Sequence, residues 1–386
     1  MKWEKTTIGS HCTVTSSKRF HLSDRSESGI PFYCSKEIIQ KVNGQAVTEC
    51  DYIKEESYEE VKSKFGVPEC GDLLITTRGT YGVPYIYKAN DKFYFADGNL
   101  TWLKEFDDNL SVEFLYYWIL SYEGQKKIDA IAKGTAQKAV PIASIRDIVL
   151  TIPPIETQRR IASILSAYDD LIENNQKQIK LLEEAAQRLY KEWFVDLHFP
   201  GYEDVKIVDG VPEGWHEGSL AEIVTFKRGK TITKANVVEG EVPVVAGGLE
   251  PAYYHNIANT TAPVITVSGS GANAGFSRLY HEDVFASDCS FADIKATPYI
   301  PFVYCFLQAN KSQLDSLQKG SAQPHVYAKD INAMSLVIPT EAIIKQFCHI
   351  SETYYTFIGK LQKQIKKLSE ARDRLLPKLM SGELEV

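Results

Sequence analysis

The sequence predicts an α+β protein in which two mixed α/β globular domains are separated by a long antiparallel two-helix coiled coil. Residues 153–199 carry an unbroken heptad pattern, and residues 339–376 carry a second one. The two segments, with the sequences before them, superimpose when the numbering is shifted by 186 (Tyr168 on Tyr354). A repeat of this kind indicates a duplicated supersecondary unit, here with a pseudo-two-fold relation between the copies.

The first heptad segment predicts one continuous helix. No Gly or Pro occurs from Ile155 to Phe199, and apolar residues recur in steps of four and three. A 3.5-residue repeat held this long is typical of a coiled-coil seam. At about 1.5 Å per residue the helix is roughly 60 Å long and needs a partner to cover its apolar stripe. The predicted seam consists of Ile161, Leu165, Tyr168, Ile172, Asn175, Ile179, Leu182 and Leu189, with Tyr354, Phe357, Leu361, Leu368 and Leu375.

Asn175 has two interpretations: it marks an error in the assigned register, or it is a polar residue that fixes the register.

The repeat also aligns GTAQ (134–137) with GSAQ (320–323). The chain therefore reads as globule, helix, globule, helix, with predicted boundaries at 1–152, 153–199, 200–338 and 339–386. Only about fifteen residues lead from the first helix into the second globule, so we expect antiparallel helices with the globules at opposite ends.

The first globule has a predictable order of elements. It opens with a short strand or turn at 3–8, and two strands at 72–77 and 83–87 flank a Gly-bearing turn that indicates a hairpin. Helices are expected at 112–122 and 123–132, followed by a strand at 148–152.

The second globule repeats this plan. Trp215 stands where Trp3 stood, and strands at 264–267 and 276–280 flank SGSGANAG (268–275). Helical pieces are expected at 301–307 and 314–317.

The amino-acid composition excludes some classes of protein. With 386 residues, 44% hydrophobic and 24% charged, the chain is expected to form two soluble domains. Its net charge of −7 argues against a uniformly basic surface, so nucleic acid would be bound by local clusters or with partner subunits. The seven cysteines form no CxxC pair, and neither a signal peptide nor an apolar run of membrane length is visible. We therefore expect a cytoplasmic protein without membrane contact.

Several basic or Gly-rich clusters are candidates for contact with DNA. Arg at a hairpin tip can read guanine, and Gln can pair with adenine or phosphate, whereas a solvated turn and a helix stop are the plainer interpretations. SGSGANAG lacks the spacing of a dinucleotide-binding loop and is read as a hairpin turn whose glycines let a phosphate approach. The candidates are Lys18, Arg19, Arg78, Tyr81, Lys133, Gln137, Lys138, Lys227, Arg228, Lys230, Asn273, Lys319, Gln323 and His325.

Catalytic motifs are absent from the sequence. It contains no N/D-P-P-Y/F tetrapeptide of an amino-methyltransferase, no HExxH, no G-x-S-x-G and no paired-cysteine zinc site. The sequence therefore predicts no catalytic, cofactor-binding or metal-binding residue.

Four segments carry a family resemblance: GDLLITTRGTYG (71–82), IPPIETQRRIASILSAYDDLI (152–172), VPEGW (211–215) and LLPKLMSGEL (375–384). With them, the chain resembles the specificity (S) subunit of type I restriction–modification enzymes. The second helix opening departs from the family pattern, with Thr340 in place of a second Pro.

The resemblance implies a non-catalytic reader of double-stranded DNA. Each globule would be a target recognition domain for one half of a bipartite, asymmetric site. The helices would set the spacer and dock two modification (methyltransferase) subunits, which restriction subunits join. S-adenosylmethionine, ATP and Mg are then expected on those partners and not on this chain. The alternative is a coiled-coil scaffold or adaptor with protein-binding globules; a stand-alone methyltransferase is a third interpretation.

Overall fold

A computed structural model describes residues 3–134, 138–320 and 324–386 of the chain. The contacts divide it into two compact units. Unit 1 comprises Met1–Glu173 and Lys366–Val386, and unit 2 comprises Asn174–Ile365. This division cuts both long helices, whereas the predicted boundaries follow the helix ends; those boundaries stay a prediction.

Among its described residues, unit 1 has three antiparallel or mixed sheets and five short α-helices. A two-stranded sheet pairs β1 with β10, a four-stranded sheet has the order β2-β9-β6-β7, and another has the order β3-β5-β4-β8. The strands are β1 (Glu4–Thr7), β2 (Thr13–Thr15), β3 (Arg25–Ser26), β4 (Ile30–Tyr33), β5 (Asp51–Ile53), β6 (Leu73–Thr76), β7 (Pro84–Ile86), β8 (Tyr94–Phe95), β9 (Leu100–Lys104) and β10 (Val149–Ile152). The helices are α1 (Ser35–Val42), α2 (Glu55–Phe65), α3 (Val112–Leu120), α4 (Tyr122–Ile131) and α5 (Ile142–Arg146).

The predicted hairpin and helix pair of this unit are confirmed. Strand β6 is buried along its whole length and pairs antiparallel with β7, Leu73 opposite Ile86. Ser111 caps α3 by accepting a hydrogen bond from the backbone of Phe114, and Ser121 ends α3 and caps α4. A single serine thus divides one helical stretch into two helices, because its side chain accepts a hydrogen bond from Gly124, a free N–H group in the first turn of the next helix.

Unit 2 repeats the strand order of unit 1. Its four-stranded sheet runs β14-β20-β17-β18, a three-stranded sheet runs β16-β15-β19, and β11-β12 and β13-β21 form pairs. The strands are β11 (Ile207–Val208), β12 (Val211–Pro212), β13 (His216–Ser219), β14 (Lys227–Arg228), β15 (Val242–Val245), β16 (Tyr253–His255), β17 (Val264–Ser268), β18 (Ser277–Tyr280), β19 (Phe285–Ala286), β20 (Cys289–Asp293) and β21 (Ser335–Ile338). The parallel pair β15–β19 corresponds to β4–β8 of unit 1, so the sequence repeat is also a repeat of topology.

Helices α6 and α10 each belong partly to both units. The bounds are α6 (Ile155–Phe194), α7 (Ile300–Ala309), α8 (Lys311–Ser316), α9 (Ala328–Asn332) and α10 (Glu341–Ser381). Helix α6 ends at Phe194, five residues before the predicted end. Leu197 takes a left-handed conformation (φ 62°), and Phe199 turns back to pack on Trp215 with ring centres 4.8 Å apart.

Within unit 1, the helix segments pack antiparallel and join the globule. Ile161 and Leu165 share a buried cluster with Leu379 and Met380, and Leu375 packs against its edge. Arg372 Nη1 donates to Asp169 Oδ1 at 2.6 Å. Tyr117 of α3 donates to the other oxygen of Asp169 at 2.7 Å, so one carboxylate links three helices.

Within unit 2, the helix segments are also antiparallel. Trp193 packs on Phe347 with ring centres 5.9 Å apart, and buried Asn175 lies 3.4 Å from Gln364, Nδ2 to Oε1. The polar partner favours the register-fixing interpretation of Asn175 over an error in the register.

The remaining predicted seam residues differ in burial. Leu361 is buried, whereas Phe357 is 44% exposed. The buried stripe of α10 passes through Tyr355 and Ile358 instead, so Phe357 lies to one side of it. The partly buried members are Tyr168, Ile172, Ile179, Leu182, Leu189, Tyr354 and Leu368.

Candidate nucleic-acid interface

In unit 1, two predicted clusters meet at one edge of the sheet β2-β9-β6-β7. Arg78, just after β6, forms a β-bridge with Ala139. Ala139 forms a second β-bridge with Lys133, in which the backbone N–H of each residue donates to the carbonyl oxygen of the other at 2.9 Å. The next backbone N–H, of Val140, donates to Thr77 at 2.9 Å. The side chains of Arg78, Lys133 and Lys138 are exposed. The hairpin tip and the loop that follows α4 therefore form one surface.

A third cluster joins this edge through Asp97. Arg19 donates to Asp97 Oδ2 from Nε, and its Nη2 lies 2.8 Å from the same oxygen. Asp97 lies between β8 and β9, beside Asn99, whose carbonyl accepts from the backbone of Thr77 at 2.8 Å. Arg19 is thus held near the tip that carries Arg78.

Two other predicted residues of unit 1 have partners within the unit. The ammonium of Lys18 lies 4.9 Å from the ring centre of Phe65. Tyr81 packs at the edge of the core and its hydroxyl bonds to Asp129 of α4, which raises the pKa of Tyr81. The structure therefore gives Tyr81 a bond within its own unit at the base of the turn.

In unit 2, the Gly-rich tip and the second loop meet in the same way. Ser270 forms a β-bridge with His325, and His325 bridges Lys319. The backbone of Val326 donates to Gly269 at 3.1 Å, and Gly271 donates to Pro324 at 3.1 Å. Gly271 has a positive φ of +80°, and no atom lies within 4 Å of the place where a Cβ would stand. Gly79 of unit 1 has the same open space and a φ of +73°. Both tips therefore expose backbone to an approaching group.

Basic residues of the edge strand β14 flank this tip. Lys227 and Arg228 are exposed, and β14 pairs with β20. The backbone of Lys230 donates to Ala286, at the start of the turn between β19 and β20, at 3.0 Å. Gly229 is required at this approach, because a Cβ there would lie 2.4 Å from the carbonyl oxygen of Ser287.

The other predicted residues of unit 2 lie on the same surface. Asn273 Nδ2 is 3.4 Å from the carbonyl oxygen of Gly247. Lys319 is exposed but forms an ion pair with Asp330 at 2.8 Å, and His325 stacks near Tyr327. Gln137 and Gln323 lie outside the described residues.

Two carboxylates were missed by sequence reasoning. Asp97 and Asp288 occupy corresponding turns, before β9 and before β20 respectively. Ser270 Oγ donates to Asp288 Oδ2. A short acidic turn between two apolar strands was the available signal, but only the strand pairing shows that it lies beside the basic tips.

Each surface thus combines exposed cations, open backbone and hydrogen-bonding side chains at a sheet edge. Cations of this kind bind phosphates, and the side chains can contact base edges. Across residues 3–134, 138–320 and 324–386, the structure contains no group of three His, Cys, Asp or Glu placed to hold a metal ion. Among the helices of the described chain, none is long and apolar enough to cross a membrane. The predicted cytoplasmic location stays a prediction.

Comparison with known proteins assigns the class. The type I restriction modification DNA specificity domain family matches residues 1–184 and 212–370. The chain therefore belongs to this family and is a non-catalytic specificity subunit, as the resemblance implied; the adaptor alternative is not favoured.

Individual relatives are distant but span most of the chain. The MjaIX specificity subunit of Methanocaldococcus jannaschii is 26% identical over 82% of this chain and 78% of its own length. A putative MjaX specificity subunit from the same organism is 23% identical over 88% and 84%. The crystal structure of an S subunit from M. genitalium superimposes with a TM-score of 0.63 at 19% identity, covering 98% of this chain and 96% of that one. This likeness shows that the fold is shared.

Proposed function

We propose that each unit reads one half of a bipartite, asymmetric site in duplex DNA through the sheet-edge surface described above. The observation that carries this proposal is the recurrence of the same arrangement: a tip after the buried strand, joined by a β-bridge to a Lys-Gly loop, with further cations beside it. The tips differ in sequence, RGTYG against SGSGANAG, so the half-sites differ as well.

The long helices set the spacer and dock the partner subunits in this proposal. They carry exposed large apolar side chains: Leu171 on the segment of α6 in unit 1, and Leu181, Ile350 and Phe357 on the helix segments of unit 2. Exposed apolar groups on a helix are typical of a surface covered in an assembly. Two modification subunits would cover them, with restriction subunits added, and these partners would hold S-adenosylmethionine, ATP and Mg.

Salt dependence of DNA binding tests the assigned surface. The chain assembled with its modification subunits is titrated with duplex DNA at several salt concentrations, as the native protein and as Arg78→Ala. If Arg78 contacts a phosphate, the slope of log affinity against log salt falls by about 1; if it reads a base, discrimination at one position falls by about 1–3 kcal/mol.

Lys206→Ala is the matched control, because Lys206 is an exposed cation beside β11, remote in sequence from all the loops of the surface. We expect its salt slope and specificity to equal those of the native complex. An Arg78→Ala complex with unchanged affinity, slope and specificity would contradict the assignment of this edge. Methyl transfer to DNA by the purified chain alone would contradict the placement of the chemistry on its partners.

A further inference from the structure

Asp288 is an acidic residue beside the Gly-rich tip and the basic residues of the surface in unit 2. We call this part of the surface the loop edge. Its backbone carbonyl accepts a hydrogen bond from Gly269, and its Oδ2 accepts one from Ser270 Oγ. Within the part of the chain that the structure describes, no Lys, Arg or His forms an ion pair with it. The nearby cation Lys319 pairs with Asp330 instead. Asp288 is partly exposed, so its second oxygen, Oδ1, is left as an acceptor at the surface.

The turn of unit 1 that corresponds to the Asp288 turn also holds a carboxylate, but at a different position. Leu100 pairs with Thr76 as Cys289 pairs with Ser268, so Asp288 corresponds to Asn99, and Asp97 lies two residues earlier. Asp97 occupies the same turn, but Arg19 donates to it through Nε, with Nη2 also 2.8 Å away. Arg19 therefore forms an ion pair with Asp97 and lies exposed at the surface, whereas no cation pairs with Asp288 among the described residues. At the position of Asp288, unit 1 carries the uncharged Asn99, so the two units differ in charge there.

A carboxylate on a DNA-binding surface is repelled by phosphates, so it has to be offset by a specific contact. An ionised carboxylate only accepts hydrogen bonds. In the major groove, cytosine offers its N4 amino group as a donor, whereas adenine places the acceptor N7 beside its amino group, and guanine and thymine offer acceptors. A carboxylate therefore favours cytosine over the other three bases.

We propose that Asp288 is a specificity-determining residue that reads a cytosine in the half-site of unit 2, with Ser270 fixing the orientation of the carboxylate. The inference rests on the proposed function, since it takes the loop edge to face the base pairs. It goes beyond that function by assigning one base to one side chain.

The test uses Asp288→Asn, which keeps the shape of the side chain and an oxygen for Ser270 but replaces an acceptor by a donor. The chain is assembled with its modification subunits, and methylation of a duplex library with randomised positions is sequenced. We expect one cytosine in one half-site to lose its preference by roughly 5- to 100-fold, the range for one base contact. The other half-site should be unchanged.

Two further variants separate base reading from structural damage. Ser270→Ala retains the carboxylate, so the same cytosine should stay preferred while overall methylation weakens. Asp97→Asn should alter only the other half-site. For a measurement without any protein variant, the native complex is given a duplex with uracil, which lacks the amino group, in place of that cytosine; a similar loss is expected.

The outcomes distinguish the inference from the proposed function. A native complex that methylates no defined sequence would overturn the proposed function. A native complex with a defined site, in which Asp288→Asn changes no position or uracil replaces cytosine without loss, would overturn the assignment of Asp288 alone.

Discussion

At the scale of single residues, the glycine at position 359 of helix α10 is explained by a residue that packs against it, not by the helix sequence. Glycine in a helix interior normally destabilises by about 1 kcal/mol relative to alanine. Here a Cβ at position 359 would lie 2.8 Å from both Cβ and Cγ of His281. His281 stacks near Tyr355, and burial, reinforced by Lys363, lowers its pKa to about 4. The neutral imidazole therefore packs directly on the backbone of α10.

Gly359→Ala is accordingly expected to destabilise unit 2, against the helix propensity of alanine. The overpacked contact should cost about 1–3 kcal/mol of unfolding free energy, measured by urea denaturation. In a His281→Gly background the same substitution should stabilise instead, because the clashing side chain is gone. A stabilising effect of Gly359→Ala in the native background would contradict this packing.

Local chemistry alone singled out some residues that the fold then brings together, while their contact with DNA stays a prediction. Arg78 and Lys133 were recognised from a turn and a Lys-Gly loop, and the structure places both at one surface. Their common partner, Ala139, has no distinguishing property in the sequence. The partners of Asp97 and Tyr81 were not predictable locally, because Arg19 and Asp129 are remote in the chain and only the fold brings each pair together.

At the scale of elements, the long helices were the most predictable part. Their heptad pattern gives the type and length of each helix, and the shared clusters give the antiparallel pairing within each unit. The end of α6 was predicted too late because the sequence 195–199 contains no Gly or Pro, and the packing of Phe199 on Trp215 ends the helix instead. The small sheets were harder, since several of their strands have only two or three residues and their pairing depends on distant segments.

Lengthening the helices tests their role as a spacer. Seven residues are inserted after Glu173 in α6 and seven after Ile365 in α10, which preserves the 3.5-residue seam. At about 1.5 Å per residue each helix grows by roughly 10 Å, or about three base pairs at about 3.4 Å each. The methylated half-sites should then lie about three base pairs farther apart.

An insertion of two residues at the same places is the control. It turns the seam by roughly 200° at about 3.6 residues per turn, so sequence-specific methylation should be lost. A seven-residue variant that methylates the original spacing would contradict the spacer role.

At the scale of the whole molecule, we propose that the chain carries two DNA readers of unlike sequence built on one plan. The repeated strand order, the two equivalent sheet edges and the family membership support this division of labour. The predicted placement of the globules at opposite ends stays a prediction. Sequence alone indicated the duplication, whereas the surroundings of Asp288, on which its proposed contact with a base rests, are visible only in the structure.

Exchange of one reader tests the central claim most directly. Residues 200–336 are replaced by the corresponding domain of another specificity subunit, and the DNA methylated by the assembled complex is sequenced. We expect one half-site to change to that of the donor and the other half-site to be retained. A change in both half-sites, or in neither, would contradict it.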